Sequence, residues 1–214
     1  MIGDNISYHP EYKQITDFVI KNLEFIKRSN SKLCISVGGE SGCGKTSFAN
    51  SLKIDIEKAI GLKGFIFHLD DYFKLPPADN HNARLKDISL VGMNEVNLEL
   101  LDFHLVQFKE KGSVLNKPLV DYPQNKILNE QISCNEYDFC IVEGTYVSVL
   151  KAPDYRIFIE TTYLDTRKLR VERGRDLIND INERILEIEH QIIKPQCELA
   201  NVIIDKELNT ITKK

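Results

Sequence analysis

The residues best equipped for chemistry lie together in Gly39-Glu40-Ser41-Gly42-Cys43-Gly44-Lys45-Thr46-Ser47, a glycine-rich turn ending in a lysine and two hydroxyl residues. Glycine lets backbone N–H groups turn inward around an anion where a side chain would clash. Lys45 has the reach to hold β- and γ-phosphates, the Thr46 hydroxyl suits Mg2+, and a helix beginning here adds its positive end. The alternative is a chance glycine-rich turn, but this pattern falls between an apolar strand-like run and a helix. It reads as a phosphate-binding loop with ATP as donor, Gly39 to Ser47 as its binding residues and Mg2+ as its metal.

Three further groups fit the same chemistry. Asp70 ends an apolar run, where a carboxylate can take the proton of an acceptor hydroxyl, orient that hydroxyl, or help hold the cation. Asp71 beside it is the competitor, and spacing does not separate the two. Glu143 follows Phe139-Cys140-Ile141-Val142, the position at which phosphoryl-transferring folds keep an acid near Mg2+, more often Asp than Glu. Arg167, Arg170, Arg173 and Arg175 cluster in one charged stretch. A solvated face is the ordinary explanation of such a cluster, but next to a phosphate loop mobile guanidinium groups stabilise charge on a transferred group when a lid closes. Tyr72 reads equally as a loop anchor or a substrate contact. The histidines at 9, 68, 81, 104 and 190 suggest no triad, and His68, inside an apolar strand, reads as a packed core residue.

The elements that must position these groups follow from hydrophobic periodicity. Residues 11–28 predict an amphipathic helix, 33–37 a buried strand, 45–60 a helix stopped by Gly61, and 64–69 a second strand. Residues 76–86, polar and proline-containing, predict a loop; 98–109 a helix; and the chain around Pro118 and Pro123 irregular structure. Strands are predicted at 139–142 and 156–160, a helical stretch at 165–194 with the lid over 163–194, and a last strand at 202–204. The fold class is therefore α/β of the P-loop NTPase type, a mainly parallel sheet flanked by helices, with a helical Arg-rich lid. Residues 1–214 are expected to form one domain. In such sheets ligands gather outside the carboxyl ends of the strands, where the loop, Asp70 and Glu143 all fall.

Bulk properties narrow the partners. The 214 residues carry 28 Lys and Arg against 32 Asp and Glu, a formal charge of -4, so no global positive field recruits nucleic acid or an anionic membrane. No run approaches the roughly 20 apolar residues of a membrane span, and the N-terminus lacks a basic region followed by an apolar stretch, so a cytoplasmic location is expected. Five cysteines, odd in number and widely spaced, fit reduced thiols better than a disulfide framework. Paired zinc-ligand spacings are not found, and no zinc site is expected.

Taken together, Gly38 to Ser47, Asp70-Asp71-Tyr72-Phe73-Lys74, Ile141-Val142-Glu143-Gly144 and Glu172-Arg173-Gly174-Arg175-Asp176 resemble the uridine kinase and phosphoribulokinase family of small-molecule kinases, over about residues 33–205. The resemblance implies ATP- and Mg2+-dependent phosphorylation of a small-molecule hydroxyl. It implies Asp70 as base, Lys45 on the phosphates, Thr46 and Glu143 around the metal, and Arg173 and Arg175 in the lid. Substrate contacts would fall to Asp71, Tyr72 and Asp121, and a homo-oligomer stays open because such kinases are often oligomeric.

Two departures stand out. Where uridine kinases carry Asp-His-Pro this chain has Leu90-Val91-Gly92-Met93, and where they carry Tyr-Asp-Phe followed by His it has Val120-Asp121-Tyr122-Pro123-Gln124-Asn125. A uridine or cytidine acceptor leads, with sugar phosphates, pantothenate and glycerate as alternatives, and ATP and GTP are not distinguished. A guanine-nucleotide switch lacks its motif, since Asn116-Lys117-Pro118-Leu119 has no Asp in the place that pairs with guanine. A non-catalytic ATP-binding module is disfavoured by the intact Lys45, Thr46, Asp70 and Glu143.

Overall fold

The computed structural model describes residues 2–3, 6–23, 32–110, 112–168 and 180–212. Its centre is a sheet of β1 (Leu33–Gly39), β2 (Gly64–His68), β5 (Phe139–Gly144), β6 (Tyr155–Ile159), β7 (Val202–Ile204) and β8 (Thr210–Thr212), in the order β2-β5-β1-β6-β7-β8. All neighbours are parallel except β7 and β8. Successive residues of the buried strands face opposite sides, as a period of two requires. Ile35, Val37 and Ile141 pack with α1 (Lys13–Leu23) and α2 (Lys45–Ile60), through Val19, Phe48, Leu52 and Ile56. Cys34, Cys140 and Val142 face the other side, where Leu101, Leu105 and Phe108 of α4 (Leu98–Lys109) and Ile193 of α5 (Asp180–Ile193) cover them. Both faces of the parallel sheet are thus closed by helices.

Three expectations are corrected. Residues 76–86 were expected as loop, but α3 occupies Pro77–Lys86. Pro77 sits in the first turn, where its missing N–H costs nothing, and the helix is polar nearly all round, so it carries no periodic signal. The chain around Pro118 is a hairpin of β3 (Val114–Asp121) and β4 (Lys126–Ser133), with Pro118 opposite Asn129. β4 is the one strand beside β3 in its sheet, and the other edge is bridged by Ile2 only at the far end, around Asp121, so Pro118 falls where a strand tolerates proline. Val202–Ile204 is not the last strand, because β8 returns antiparallel along its free edge. Residues 24–28 of the expected first helix lie outside the described residues, as do Arg170, Arg173 and Arg175.

The hairpin is fixed to the sheet by a buried ion pair. Lys117 Nζ donates to Asp71 Oδ2 at 2.9 Å, to the Pro118 carbonyl at 2.8 Å, and lies 3.1 Å from Glu130 Oε2. Asp71 Oδ1 accepts the Val120 N–H at 2.9 Å. Both charged residues are essentially inaccessible, at 0% and 1%. Removing one member of such a pair leaves an uncompensated charge in a poor dielectric. Lys117→Ala is therefore expected to cost about 3 kcal/mol of stability, seen as a lower urea midpoint, whereas Lys117→Met combined with Asp71→Asn recovers part of the loss.

Candidate active site

β1 runs directly into the glycine-rich loop, and the backbone geometry there accepts no other residue. Gly39 has φ +150°, and a Cβ on it would lie 2.7 Å from the Ile159 carbonyl oxygen and 2.8 Å from Cys43 Sγ. Gly44, at φ +91°, is the cap from which α2 starts. The loop's N–H groups and the start of α2 thus share one end of the sheet, the arrangement that binds anions. Lys45 folds back over the loop and donates from Nζ to the Glu40 carbonyl at 2.6 Å. Burial pushes the Cys43 thiol up, so it stays neutral beside that lysine.

The two neighbouring aspartates have different surroundings. The turn Leu69–Tyr72 that follows β2 is a 3-10 turn, in which consecutive side chains diverge by about 120°. Asp71 points into the fold and holds Lys117. Asp70 stays partly exposed and accepts the Tyr122 hydroxyl at 3.0 Å. Desolvation, and then the charge of Glu143, raise the Asp70 carboxyl above the ordinary Asp range, against the pull of Lys45. Tyr72 is 1% exposed and shares a 2.9 Å hydrogen bond with His104 Nδ1. Burial holds the His104 pKa below the ordinary His value. Asp121 is 4% exposed and accepts the Gln124 N–H at 2.9 Å, fixing the hairpin turn. The three residues expected at the substrate are therefore placed with protein partners inside the scaffold.

Glu143, next to the last residue of β5, is in register with His68 at the end of β2, and His68 Nδ1 donates to Glu143 Oε1 at 2.7 Å. His68 is thus a correction. It is the partly buried partner of a site carboxylate rather than inert core packing, and the signal for it was its place at the end of a strand adjoining that of Glu143. Sequence reasoning also missed Tyr122, which lay in the segment already singled out, and the bonds of the Glu40 side chain. Glu40 Oε1 accepts His190 Nδ1 at 2.6 Å and Oε2 accepts the Tyr163 N–H at 2.7 Å. A cavity of about 330 Å3 adjoins the loop, between Glu40, Thr162, Lys194 and the turn Asp205-Lys206-Glu207 after β7.

On the other side of the site, α3 is held by a buried network. Arg84 grips Glu95 through Nε at 2.5 Å and Nη2 at 2.8 Å and meets Glu189 of α5 at 3.0 Å. Glu95 also accepts the Gly92 N–H at 2.8 Å and Asn80 Nδ2 at 3.0 Å, so the segment at 90–93 is braced from within. Of the four arginines expected in a lid, Arg167 is among the described residues, exposed and 3.7 Å from Glu183.

Comparison with known proteins bears on this arrangement. A model of the phosphoribulokinase / uridine kinase family matches residues 34–212. A uridine kinase of Clostridium novyi (strain NT) is 26% identical over 185 residues, covering 80% of this chain and 86% of that protein. The structure of a possible uridine kinase from Bacillus stearothermophilus superposes with a TM-score of 0.66 at 17% identity, covering 90% of this chain and 98% of the other. Phosphoribulokinase from Rhodobacter spheroides gives 0.66 at 15% identity, covering 83% and 71%. These structures share the fold, a mainly parallel sheet flanked by helices, of P-loop kinases. Among the described residues no helix is long and apolar enough to cross a membrane.

The raised carboxyl of Asp70 has a consequence for stability. Where folded and unfolded carboxyls are both protonated, it costs nothing. As the pH rises through the ordinary Asp value, ionisation is held back only in the folded state, and above the folded value the cost is complete. Asp70→Asn, which keeps an acceptor oxygen for Tyr122, is expected to raise the unfolding midpoint above neutrality and to lose that gain in acid below the ordinary carboxylate range. Thermal melts across that range check it, and an equal gain at both ends contradicts it.

Proposed function

We propose, on the premise that the chain belongs to the phosphoribulokinase / uridine kinase family, that it transfers the γ-phosphoryl group of ATP to a hydroxyl of a uridine- or cytidine-type nucleoside. The family makes it a P-loop small-molecule kinase. The observation that carries the finer reading of the chemistry is Asp70: a partly exposed carboxylate at the strand end, its pKa raised by burial and then by Glu143, with Lys45 of the phosphate loop near enough to oppose that rise. A base so tuned receives a proton more readily than an ordinary aspartate.

The remaining roles follow from chemistry. Lys45 and the loop N–H groups hold the donor phosphates, and Tyr122 orients the Asp70 carboxylate. The acceptor oxygen forms its bond to the γ-phosphorus as the bond to the β–γ bridging oxygen breaks, and Asp70 takes the acceptor's proton. Asp70 is close enough to Glu143 for that charge to raise its carboxyl, and Thr46 supplies a hydroxyl in the first turn of α2. Such a hard oxygen set, with two carboxylates in mutual repulsion, fits Mg2+ shared with phosphates. When bound, the ion neutralises charge on the phosphate oxygens. Arg173 and Arg175 are assigned to the lid on the resemblance of their motif.

A nucleoside acceptor draws support from relatives named uridine kinase, 26% and 28% identical to this chain. A second reading, another hydroxyl acceptor such as a sugar phosphate, pantothenate or glycerate, is favoured by the engagement of Asp121 within its own turn and by Val91-Gly92 in the place of a polar pair. Each polar edge of a nucleoside left without its partner costs about 1 to 3 kcal/mol. The deciding experiment is ADP release with Mg-ATP and a panel of these acceptors. Uridine or cytidine is expected to turn over, with kcat falling about 10^2- to 10^4-fold in Asp70→Asn. Turnover confined to another acceptor overturns the nucleoside assignment, and full activity in the variant overturns the role of Asp70.

A further inference from the structure

The phosphate loop carries a carboxylate of its own. Glu40 is the second residue of a loop whose purpose is to surround anions, yet it is 5% exposed and both its oxygens are taken. His190 Nδ1 meets Oε1 at 2.6 Å from α5, and the Tyr163 N–H meets Oε2 at 2.7 Å from the segment after β6. Both donors come from outside the loop, one from α5 and one from the segment after β6. The residue's own carbonyl meanwhile accepts Lys45 Nζ at 2.6 Å. His190 is itself held in place. Its ring lies 5.7 Å from that of Tyr163, centroid to centroid, and the Tyr163 hydroxyl bonds Glu187, one turn earlier on α5.

We propose that His190 and Glu40 are a positioning pair for the donor phosphates. His190 holds the Glu40 carboxylate turned outward, which keeps a negative charge from the phosphate site and ties α5 to the loop. This rests on the assignment of the loop to the donor nucleotide, and it adds to that assignment a residue 150 positions away that touches neither phosphate nor acceptor. Without His190 a carboxylate in the loop has lost one of its two donors and opposes the phosphates through a short distance, where like charges repel strongly.

The test is Mg-ADP binding by calorimetry, which needs no acceptor, together with donor KM and kcat, on folded variants checked by thermal melting. His190→Ala is expected to weaken Mg-ADP binding about 10-fold or more, with a greater effect on donor KM than on kcat. Glu40→Gln introduced into His190→Ala removes the stray charge while keeping an acceptor for the Tyr163 N–H. It is expected to bring binding back to within about threefold of wild type. His190→Asn, whose amide nitrogen can stand in for Nδ1, is expected to bind better than His190→Ala, and it carries the test if the alanine variant does not fold. Unchanged Mg-ADP binding in His190→Ala overturns the pair. Weakened binding that Glu40→Gln does not restore also overturns it, because His190 would then act through packing alone. Failure of the wild-type protein to bind Mg-ADP overturns the donor assignment itself, and the pair with it.

Discussion

Like charges must be kept close without driving one another apart, and the rest of this structure is arranged around that constraint. The ends of β1, β2 and β5 bring Glu40, Asp70, Asp71 and Glu143 to one end of a parallel sheet, beside a loop suited to polyanions. Left unpaired in a partly desolvated site, each carboxylate would be expelled or protonated. Each therefore has a dedicated partner: Lys117 for Asp71, His68 for Glu143, His190 for Glu40 and the Tyr122 hydroxyl for Asp70. Only Asp70 has a neutral phenol as its partner, and its carboxyl is raised by burial and then by Glu143. The carboxylate that shares its site with Glu143 and has an uncharged partner is thus held above the ordinary Asp range.

The partners come from well-separated parts of the chain, which explains why the surrounding elements are needed. The β3–β4 hairpin delivers two of them at once, Lys117 to Asp71 and Tyr122 to Asp70. The 3-10 turn after β2 makes this division possible, because adjacent residues in it diverge enough for one to be buried and the other exposed. α5 meets the loop through His190 and the α3 side through Glu189 and Arg84, so one rigid helix spans both sides of the site. Burial raises the Glu189 carboxyl while Arg84 opposes it, so the brace is itself a compromise between desolvation and pairing.

How much of this was legible in the sequence divides along the same line. The loop, α2 with its Gly61 stop, α4 and the strands before Asp70 and Glu143 all follow from local signals: a motif, a period of 3.6, short apolar runs. What was illegible depends on partners far away in the chain. α3 has no apolar stripe and is held instead through Asn80 and Arg84 by Glu95. β3 contains a proline that argues against a strand unless one knows that it has a single neighbouring strand. Asp70 and Asp71 are indistinguishable by spacing, and a lysine 46 positions away decides which is buried. His68 looked like core until the register set it beside Glu143.

This division also bears on how such a scaffold could change its acceptor while keeping its chemistry. The hairpin is pinned by a fully buried ion pair and by the Val120 N–H bonded to Asp71, so its backbone is fixed independently of what its exposed side chains contact. Tyr122 rides on that fixed backbone, and its hydroxyl is the contact the hairpin turn makes with Asp70. Side chains at the exposed positions around Pro123 and Gln124 can then vary with little effect on Asp70. Segment 90–93 is similarly insulated, because Glu95 and Arg84 brace it from beneath whatever its surface presents. The two stretches in which this chain departs from uridine kinases are therefore stretches whose backbone is secured by other residues. Divergence there and retention of Lys45, Asp70 and Glu143 follow from one physical design.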